Sequence, residues 1–577
     1  MDITFWDLSF GIHRRRSAAC ILSSITACLD AGKMTAVLGP TGCGKTTLLD
    51  VLAGRKNTGK ITGTILYGGR PPTQALLRRH TGFVQQNNTL LENLTVHEML
   101  MYTAELQSSW FSSIRSKRSG VERILEGLKL QGCRNVKIGS VLAKGISGGQ
   151  AKRVSIGIGL ILQPKVLFMD EPTSGLDSYT ARQVMELVHG ITKGSVSVCC
   201  TIHQPTASVF SLFDNLLMLV KGQVAYSGRN GQQALDFFQR HTPTHTPQNE
   251  AEWFIDIIGL ANETSEDASA LVKAYQESAL RRHNEDAVRQ RLSPEFYSPD
   301  PKLDILLTSP LWWTCWVLLK YRGVCDFCSP SYLISRTVDK VVFTLFLSTL
   351  YWGQGRHVTA ANVQNISGIF FMATVMLTAS ALNYLPSIML ERPVLLREVN
   401  DGLYRPVAYL IAKLLQELII IVPSMALVMC VIYFAVGWEG PHAFYWLAQV
   451  VTCFMGTNLG YLVAAAAPNF LLANALLPSL VVSLLFFVGY LIKWTDIPDW
   501  WIWYGDINPM RYAFGALMHN MFDTLGERPG LSSRAVLEYY SLTGTSKWAF
   551  LGYEAIFIIV FFCLTLLSLS FLRRYWR

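Results

Sequence analysis

The 577-residue chain has 50% hydrophobic residues, only 16% charged residues and a mean hydropathy of +0.27, which excludes an ordinary soluble enzyme of this length. Residues 1 to about 305 have the mixed composition of a soluble domain, whereas long runs from Lys340 onward carry almost no charge. The net charge of +9 could indicate nucleic acid, but anionic lipid headgroups explain the basic residues beside apolar runs better. We therefore predict one domain in water, one in a membrane, and no nucleic-acid partner.

The chain begins with two predicted strands, because residues 3–10 and 21–28 alternate between apolar and polar side chains. The opening segment Met1–Asp7 has neither the basic nor the apolar part of a signal peptide. The N-terminal half is therefore expected to stay in the cytosol.

A glycine-rich turn follows the apolar strand Met34–Leu38 and opens a helix, in the pattern G-x-x-x-x-G-K-[ST]. Backbone N–H groups of such a turn face a polyphosphate that lies at the positive end of the helix. Lys45 would reach the β- and γ-phosphates, and the hydroxyl of Thr46 would bind Mg²⁺. The sequence thus predicts a nucleoside-triphosphate cradle made of Gly39, Pro40, Thr41, Gly42, Cys43, Gly44, Lys45, Thr46 and Thr47.

Cys43 lies inside this cradle, near the N-terminus of the following helix. That setting lowers the pKa of a thiol and favours its reactivity. The sequence therefore predicts a reactive cysteine, with the alternative that Cys43 is a small residue that fills the turn.

Later segments each give a weak signal alone, but together they follow a familiar order. They are Gln86 in the loop after a strand; the turn Ser147, Gly148, Gly149 and Gln150 at a helix start; Asp170 and Glu171 at a strand end, followed by Asp177; and His203 after a further strand. In this order and spacing they resemble the nucleotide-binding domain of ABC transporters, over residues 1–240. The resemblance implies an α/β P-loop ATPase domain.

Phosphoryl transfer to water needs a metal, charge neutralisation and an oriented nucleophile. Asp170 would hold Mg²⁺ together with Thr46 and Gln86, and Glu171 would act as general base on the attacking water. By resemblance, His203 contacts the γ-phosphate and Asp177 belongs to the D-loop. The resemblance also implies that Phe10 stacks on adenine. Together these residues make ATP and Mg²⁺ the expected cofactors.

In the ABC family the turn Ser147–Gln150 closes over the nucleotide held by the other subunit. This sequence contains one cradle, one such turn, one Asp-Glu pair and one switch histidine. It therefore resembles a half-transporter that must pair, as a homodimer with two competent sites or as a heterodimer.

The second half is predicted to be an all-α membrane domain, 331–577, with six transmembrane helices. A hydrophilic linker, 241–308, and an interfacial connecting helix with several tryptophans, 309–330, precede it. The spans are 336–353, 365–389, 407–436, 444–467, 470–492 and 550–572, with one of them possible as a buried re-entrant segment. The loop 391–406 and the C-terminal tail are basic, which predicts cytosolic termini and an external segment 494–549.

The order of the two domains resembles the G subfamily of ABC half-transporters. Glu391–Glu398 with Gly402–Tyr404 resembles the family's cytosolic loop between spans two and three, and Asn508–Ala513 resembles the start of its external re-entrant helices. Two departures concern the cargo: Met376–Leu382 lacks the aromatic residue of multidrug members, and Tyr490-Leu491 replaces a leucine pair. Asn365 begins a glycosylation sequon that is expected to stay unmodified at the membrane edge.

These features predict ATP-driven export of amphipathic or lipid-like molecules (sterols, lipids or xenobiotics) by a dimer in the plasma membrane. The expected partners are a second half-transporter chain, membrane lipid and a hydrophobic small-molecule substrate. Spans two and five would line the substrate cavity, or else these side chains face lipid or pack against other helices. The predicted lining residues are Thr378, Leu382, Leu485, Phe486, Tyr490 and Leu491, the last two as the outer gate.

Two other functions compete with export. An ATP-gated channel or a membrane nucleotide sensor would use hydrolysis to time a signal, but Glu171 and His203 favour turnover, which a pure sensor does not need. A soluble ATPase that acts on ribosomes or DNA is excluded by the apolar spans.

Overall fold

The computed structural model describes residues 1–14, 17–56, 58–108, 110–139, 145–194, 196–241, 250–263, 265–293, 309–528 and 531–575. The chain divides into two compact units. The first unit contains Met1–Val317 and Arg397–Tyr404, and the second contains Leu318–Leu396 and Arg405–Trp576. Residues 242–249 and 294–308 of the predicted linker 241–308 lie outside the described residues.

Among the described residues of the first unit, nine strands build two sheets. They are β1 (Ile3–Arg14), β2 (Ser17–Leu29), β3 (Met34–Leu38), β4 (Lys60–Tyr67), β5 (Thr81–Val84), β6 (Val166–Asp170), β7 (Ser197–Thr201), β8 (Asn215–Val220) and β9 (Gln223–Arg229). One sheet is antiparallel, in the order β2-β1-β4, and the other has the order β5-β6-β7-β3-β8-β9. The larger sheet is parallel except for β9.

The helices of the first unit pack around these sheets. They are α1 (Lys45–Leu52), α2 (Gln74–His80), α3 (Val96–Gln107), α4 (Ile114–Gly127), α5 (Gly148–Leu160), α6 (Ser178–Thr192), α7 (Ala207–Phe210), α8 (Gln232–His241), α9 (Glu250–Glu263), α10 (Ser265–Glu277), α11 (Ala279–Leu292) and α12 (Leu311–Leu318). The architecture confirms the predicted α/β P-loop domain.

Parallel pairing determines where the predicted site residues meet. Strands β3, β6 and β7 are fully buried, as expected for central parallel strands covered on both faces. Thr201 on β7 lies beside Val37 on β3 and Asp170 on β6. The carboxyl ends of the three strands therefore form one edge, where α/β proteins bind ligands.

The second unit is helical. Its helices are α13 (Val324–Phe327), α14 (Pro330–Leu350), α15 (Val363–Ala379), α16 (Leu385–Asn400), α17 (Pro406–Ile432), α18 (His442–Ala466), α19 (Phe470–Phe486), α20 (Ile502–Asp506), α21 (Pro509–Leu525), α22 (Ser533–Tyr539) and α23 (Lys547–Tyr575); a short hairpin pairs β10 (Glu527–Arg528) with β11 (Leu531–Ser532). The described helices thus confirm a helical second domain.

Four stretches of described helix are long and apolar enough to cross a membrane: Val363–Asn400, Pro406–Gly437, His442–Ala466 and Lys547–Phe571. The apolar helix Phe470–Phe486 is shorter than these and ends before the predicted limit at residue 492. The count of six spans stays a prediction, because α14 is absent from these four stretches. This helix covers most of the first predicted span, 336–353, and carries Arg336, Asp339 and Lys340.

A buried ion pair connects helices of the second unit. The Arg336 guanidinium on α14 lies 3.1 Å from the Glu417 carboxylate on α17, and both side chains are almost fully buried. The hydroxyls of Tyr332 and Tyr461 also donate to Glu417, at 2.9 and 2.8 Å. The charges are therefore paired and hydrogen-bonded, as polar groups inside an apolar domain must be.

Asn508, the first residue of the predicted external motif, is fully buried and caps α21. Its Oδ1 accepts from the backbone N–H of Met510 at 3.0 Å, and its Nδ2 donates to the carbonyl of Leu484 at 2.8 Å. The side chain therefore joins the start of α21 to the last turn of α19.

We expect Asn508→Ala to lower the thermal unfolding midpoint of the purified protein by several degrees. The change leaves the buried Leu484 carbonyl without this donor and removes the helix cap, at a combined cost of about 1–3 kcal/mol. Asn508→Asp keeps only the helix cap, so its unfolding midpoint should fall between those of Asn508→Ala and the unmodified protein. The exposed Asn365→Ala is the control, and an equal midpoint for Asn508→Ala would contradict the joining role.

Candidate functional site

The cradle connects β3 to α1 through backbone conformations that need glycine. Gly39 and Gly44 have φ angles of 154° and 102°, which side chains disfavour. A Cβ on Gly39 would lie 2.4 Å from the carbonyl oxygen of Leu219 and 2.5 Å from the sulfur of Cys43. The turn is therefore closely packed from below, which keeps the start of α1 and its free N–H groups in place.

Lys45 lies at the base of this turn, with only 7% of its surface exposed. Its ammonium donates to the carbonyls of Gly39 and Pro40 at 2.7 and 2.9 Å. The ammonium group is thus held inside the turn by two neutral carbonyl oxygens, which leave its positive charge uncompensated. It can attract an anion bound in the cradle.

The carboxylate of Asp170 stands at the end of β6 and is held by two hydroxyls. Thr46 donates to its Oδ1 at 3.0 Å, and Thr201 donates to the same oxygen at 2.6 Å. Burial raises the pKa of Asp170, while these two hydrogen bonds oppose the rise. Thr201 was not among the predicted site residues; its one signal was a polar residue at the end of a buried strand.

Glu171 follows with a left-handed backbone, at φ 43°. Its N–H donates to the hydroxyl of Thr201 at 2.9 Å, and its carboxylate accepts from the side-chain amide of Gln86 at 2.6 Å. Thr201 therefore orients both acidic residues, and Gln86 and Glu171 form a direct pair.

His203 completes the strand edge from the β7 side. Its Nε2 lies 3.4 Å from the hydroxyl of Thr41 in the cradle. A cavity of about 200 Å³ lies next to it, with Glu171, Ser174 and Ser178 among its lining residues. The carboxylate and the imidazole thus border one space beside the cradle.

The second glycine turn caps α5. The hydroxyl of Ser147 accepts from the N–H of Gln150 at 3.2 Å, and the Gln150 side chain accepts from the N–H of Ser147 at 2.9 Å. This reciprocal capping box fixes the helix start. Ser147 and Gly148 are exposed, whereas Gly149 is buried, so the helix N-terminus presents an open surface.

Asp177 plays a similar part at the start of α6. Its carboxylate accepts from the N–H of Thr180 at 2.9 Å, and hydrogen bonding first to the side chain and then to the backbone of Thr180 lowers its pKa. A helix N-terminus favours a carboxylate at this position.

Two predictions for the cradle region fail on burial. Cys43 is 3% exposed, and burial raises the pKa of its thiol despite the nearby Lys45, so the predicted lowered pKa was wrong. Phe10 is 1% exposed, with its ring against Gly59 in the antiparallel sheet. The structure therefore does not present this ring to adenine, because the ring itself is buried.

Lys152 on α5 was not predicted, yet it holds the loop that carries Gln86. Its ammonium donates to the carbonyls of Gln85 and Gln86 at 3.3 and 2.9 Å. Next on the helix, the Ser155 hydroxyl donates to the side chain of Asn88 at 3.0 Å. Burial lowers the pKa of Lys152 to about 8, although Asp170 and Glu171 oppose the shift.

The predicted substrate residues lie apart within the second unit. A cavity of about 250 Å³ is lined by Leu382, together with Lys340 and Gln449 among others. Thr378 is fully buried and donates to the carbonyl of Thr374, and Tyr490 stacks on Phe371 at 4.7 Å. The other three are partly or largely exposed: Leu485, Phe486 and Leu491. Of the six, only Leu382 lines this cavity.

Two family models match the chain. The model described as ABC transporter matches residues 22–174, which include the cradle, the second glycine turn and both acidic residues. The model described as ABC-2 type transporter matches residues 314–522. Together with the four apolar helices, the second match makes this a multi-pass integral membrane protein.

Curated relatives carry the same family name. ABC transporter G family member 37 of Arabidopsis thaliana is 30% identical over 554 residues, or 91% of this chain, and member 48 of Oryza sativa subsp. japonica is 30% identical over 94% of it. The chain spans only 38% of the length of each. Member 12 of Dictyostelium discoideum is 29% identical over 96% of this chain and 88% of its own length. A solved bacterial ABC transporter cassette is 22% identical, with a TM-score of 0.35 over 39% of this chain and 98% of the cassette.

We expect Lys152→Met to reduce the rate of ATP hydrolysis about tenfold or more, with little change in the KM for ATP, because Gln86 loses its support. The thermal midpoint should change little, since the substitution also removes the cost of burying a charge. Ser155→Ala, which removes the bonds of that hydroxyl to Asn88 and to the Ala151 carbonyl, should have a smaller effect. An unchanged kcat in Lys152→Met would contradict the supporting role.

Proposed function

Because this chain belongs to the ABC transporters, with the ATPase domain ahead of the membrane domain, we propose that it hydrolyses ATP to export amphipathic or lipid-like molecules. The main support is the convergence of Lys45, Asp170, Glu171, Gln86 and His203 at one edge of the parallel sheet. Such an arrangement is what phosphoryl transfer to water requires. Sterols, lipids and xenobiotics are the proposed cargo classes.

The cradle would bind the ATP phosphates through backbone N–H groups and Lys45. Its side chains also fit Mg²⁺, because a threonine hydroxyl and a carboxylate are hard oxygen ligands. In the described part of the chain both threonine hydroxyls bond to Oδ1 of Asp170, which leaves Oδ2 available. Thr46, Asp170 and Gln86 would hold the ion, which would neutralise charge on the phosphates when bound.

Glu171 would accept the proton of the attacking water. The side-chain amide of Gln86 donates to its carboxylate at 2.6 Å and so orients it. His203, beside Thr41, would contact the γ-phosphate from the opposite side. These side chains thus divide the work of holding a proton, a water molecule and a phosphate.

A second copy of the chain would complete each site. The N-terminus of α5 at Ser147 and Gly148 is exposed and positively polarised, so it can bind the nucleotide held by the other subunit's cradle. We propose a half-transporter that works as a homodimer, with a heterodimer as the other possible pairing, in the plasma membrane with cytosolic termini.

The segment Arg397–Tyr404 would pass the ATP-driven movement to the membrane domain. It belongs to the first unit, where the buried carboxylate of Glu398 accepts from the hydroxyls of Tyr102 and Tyr404, at 3.0 and 2.5 Å. The backbone on both sides of this segment continues into the second unit. A shift of the first unit therefore acts on the chain that leads into α16 and α17.

We expect Glu171→Gln to abolish substrate-stimulated ATP hydrolysis in proteoliposomes, by about a hundredfold or more, while ATP still binds. Uptake of lipids and drugs into inside-out vesicles should stop as well. The exposed Glu126→Gln on α4 is the matched control. Turnover that persists in Glu171→Gln would refute the proposed base, and wild-type ATPase without uptake or stimulation by any compound would favour a channel or sensor.

Shared sites predict complementation between two inactive variants. Lys45→Ala damages the cradle, and Ser147→Arg damages the turn that would serve the partner's cradle. A dimer of one copy of each keeps one intact site, so co-expression should restore measurable ATPase activity that neither variant shows alone. Two tags allow the mixed dimer to be purified, and an inactive mixed dimer would contradict the shared site.

A further inference from the structure

The first unit carries a cluster of exposed apolar side chains that come from chain segments other than the nucleotide cradle. Phe111 is 64% exposed and Trp312 is 59% exposed, which is unusual for large side chains on a soluble surface when they are grouped. We call this group the aromatic patch; it consists of Trp110, Phe111, Ile114, Trp312 and Trp316.

The patch is one surface although its parts are about two hundred residues apart in the chain. Trp110 packs edge-on against Trp312, with ring centroids 5.6 Å apart, and against Phe111 at 4.9 Å. The neighbouring Trp313 donates its indole N–H to the carbonyl of Glu105 at 3.2 Å. The ammonium of Lys117 lies over the same indole, 5.2 Å from its centroid. Helix α12 is thereby fixed against α3 and α4, so the patch is formed before any partner binds.

Exposed basic residues flank the patch. Arg115 and Arg118 lie on the first turns of α4 with exposed side chains, directly after Ile114. Tryptophan and phenylalanine beside arginine are the composition that lies in the headgroup region of a membrane. Anionic lipid attracts each such basic residue, by about fivefold in the binding equilibrium.

Few residues separate this surface from the membrane domain along the chain. Helix α12 ends at Leu318, and the first long helix of the second unit begins at Pro330. A short connection of that length keeps α12 near the bilayer. The sequence had indicated an interfacial helix here, but it gave no such role to Trp110, Phe111 and Ile114, which belong to the ATPase domain.

We propose that the aromatic patch docks the ATPase domain on an anionic lipid surface. Trp110, Phe111 and Ile114 enter the headgroup region beside Trp312 and Trp316, while Arg115 and Arg118 bind lipid phosphates or carboxylates. Because the patch lies on α12 and on residues 110–114 at the start of α4, docking restrains both segments at once.

Hydrogen exchange on the full chain in nanodiscs tests this proposal. The discs contain phosphatidylcholine alone or with about 30% phosphatidylserine. Exchange of the backbone amides at residues 110–113, which precede α4, should slow at least about threefold in the anionic discs. Arg115→Glu/Arg118→Glu should abolish the difference, and Phe111→Ser/Ile114→Ser should reduce the protection in both lipids.

The control Lys193→Glu/Arg240→Glu makes the same charge change at exposed positions outside the patch and should keep the difference. Equal exchange in the two lipids would overturn the proposal. Protection that ignores lipid charge and depends on protein concentration would also overturn it, because a second copy would then cover the patch. These outcomes are independent of ATP hydrolysis, which Glu171→Gln tests separately.

Discussion

The hydroxyl of Thr201 holds together the edge of the sheet where the predicted site residues meet. It donates to Asp170 and accepts from the N–H of Glu171, while Thr46 binds the same Asp170 oxygen from the cradle. Strands β6 and β7 and the start of α1 are thereby joined through one buried carboxylate. Since an unpaired carboxylate would be costly at this depth, the position of each acidic residue depends on the register of β6, β7 and β3.

Two buried lysines extend the same constraint. Lys45 and Lys152 both satisfy their ammonium groups with backbone carbonyls. A carbonyl accepts a hydrogen bond from the ammonium group without neutralising its charge. Each lysine therefore positions a loop and keeps its attraction for anions. Lys45 thus shapes the cradle, and Lys152 connects the helix of the second glycine turn to the Gln86 loop. The turn that would face one nucleotide is therefore coupled to the loop that serves another.

Much of this arrangement could be predicted from the sequence, because short motifs specify local backbone. The cradle pattern needs particular glycines and a lysine, and a strand that ends in Asp-Glu indicates a sheet edge. Thr201 and Lys152 escaped prediction because their partners are distant in the chain and only strand register and helix packing bring them close. Cys43 was misjudged for a related reason: nearness to a helix N-terminus is visible in sequence, whereas burial, which here determines the direction of the pKa shift, is not.

In the membrane domain, composition predicts the helices but not the contacts of individual side chains. Low charge predicts helices in lipid, yet it leaves Arg336 and Glu417 as unexplained charges within apolar runs until the structure pairs them. Composition also cannot distinguish a side chain that lines a cavity from one that packs. The hydroxyl of Thr378 donates to a carbonyl of its own helix, whereas Leu382, four residues later, borders the cavity. A helical turn separates them in sequence, and the change from α-helix to a 3-10 turn at Ser380 rotates them onto different surfaces. Which of these side chains borders the cavity therefore depends on local helix geometry, which apolar composition alone does not determine.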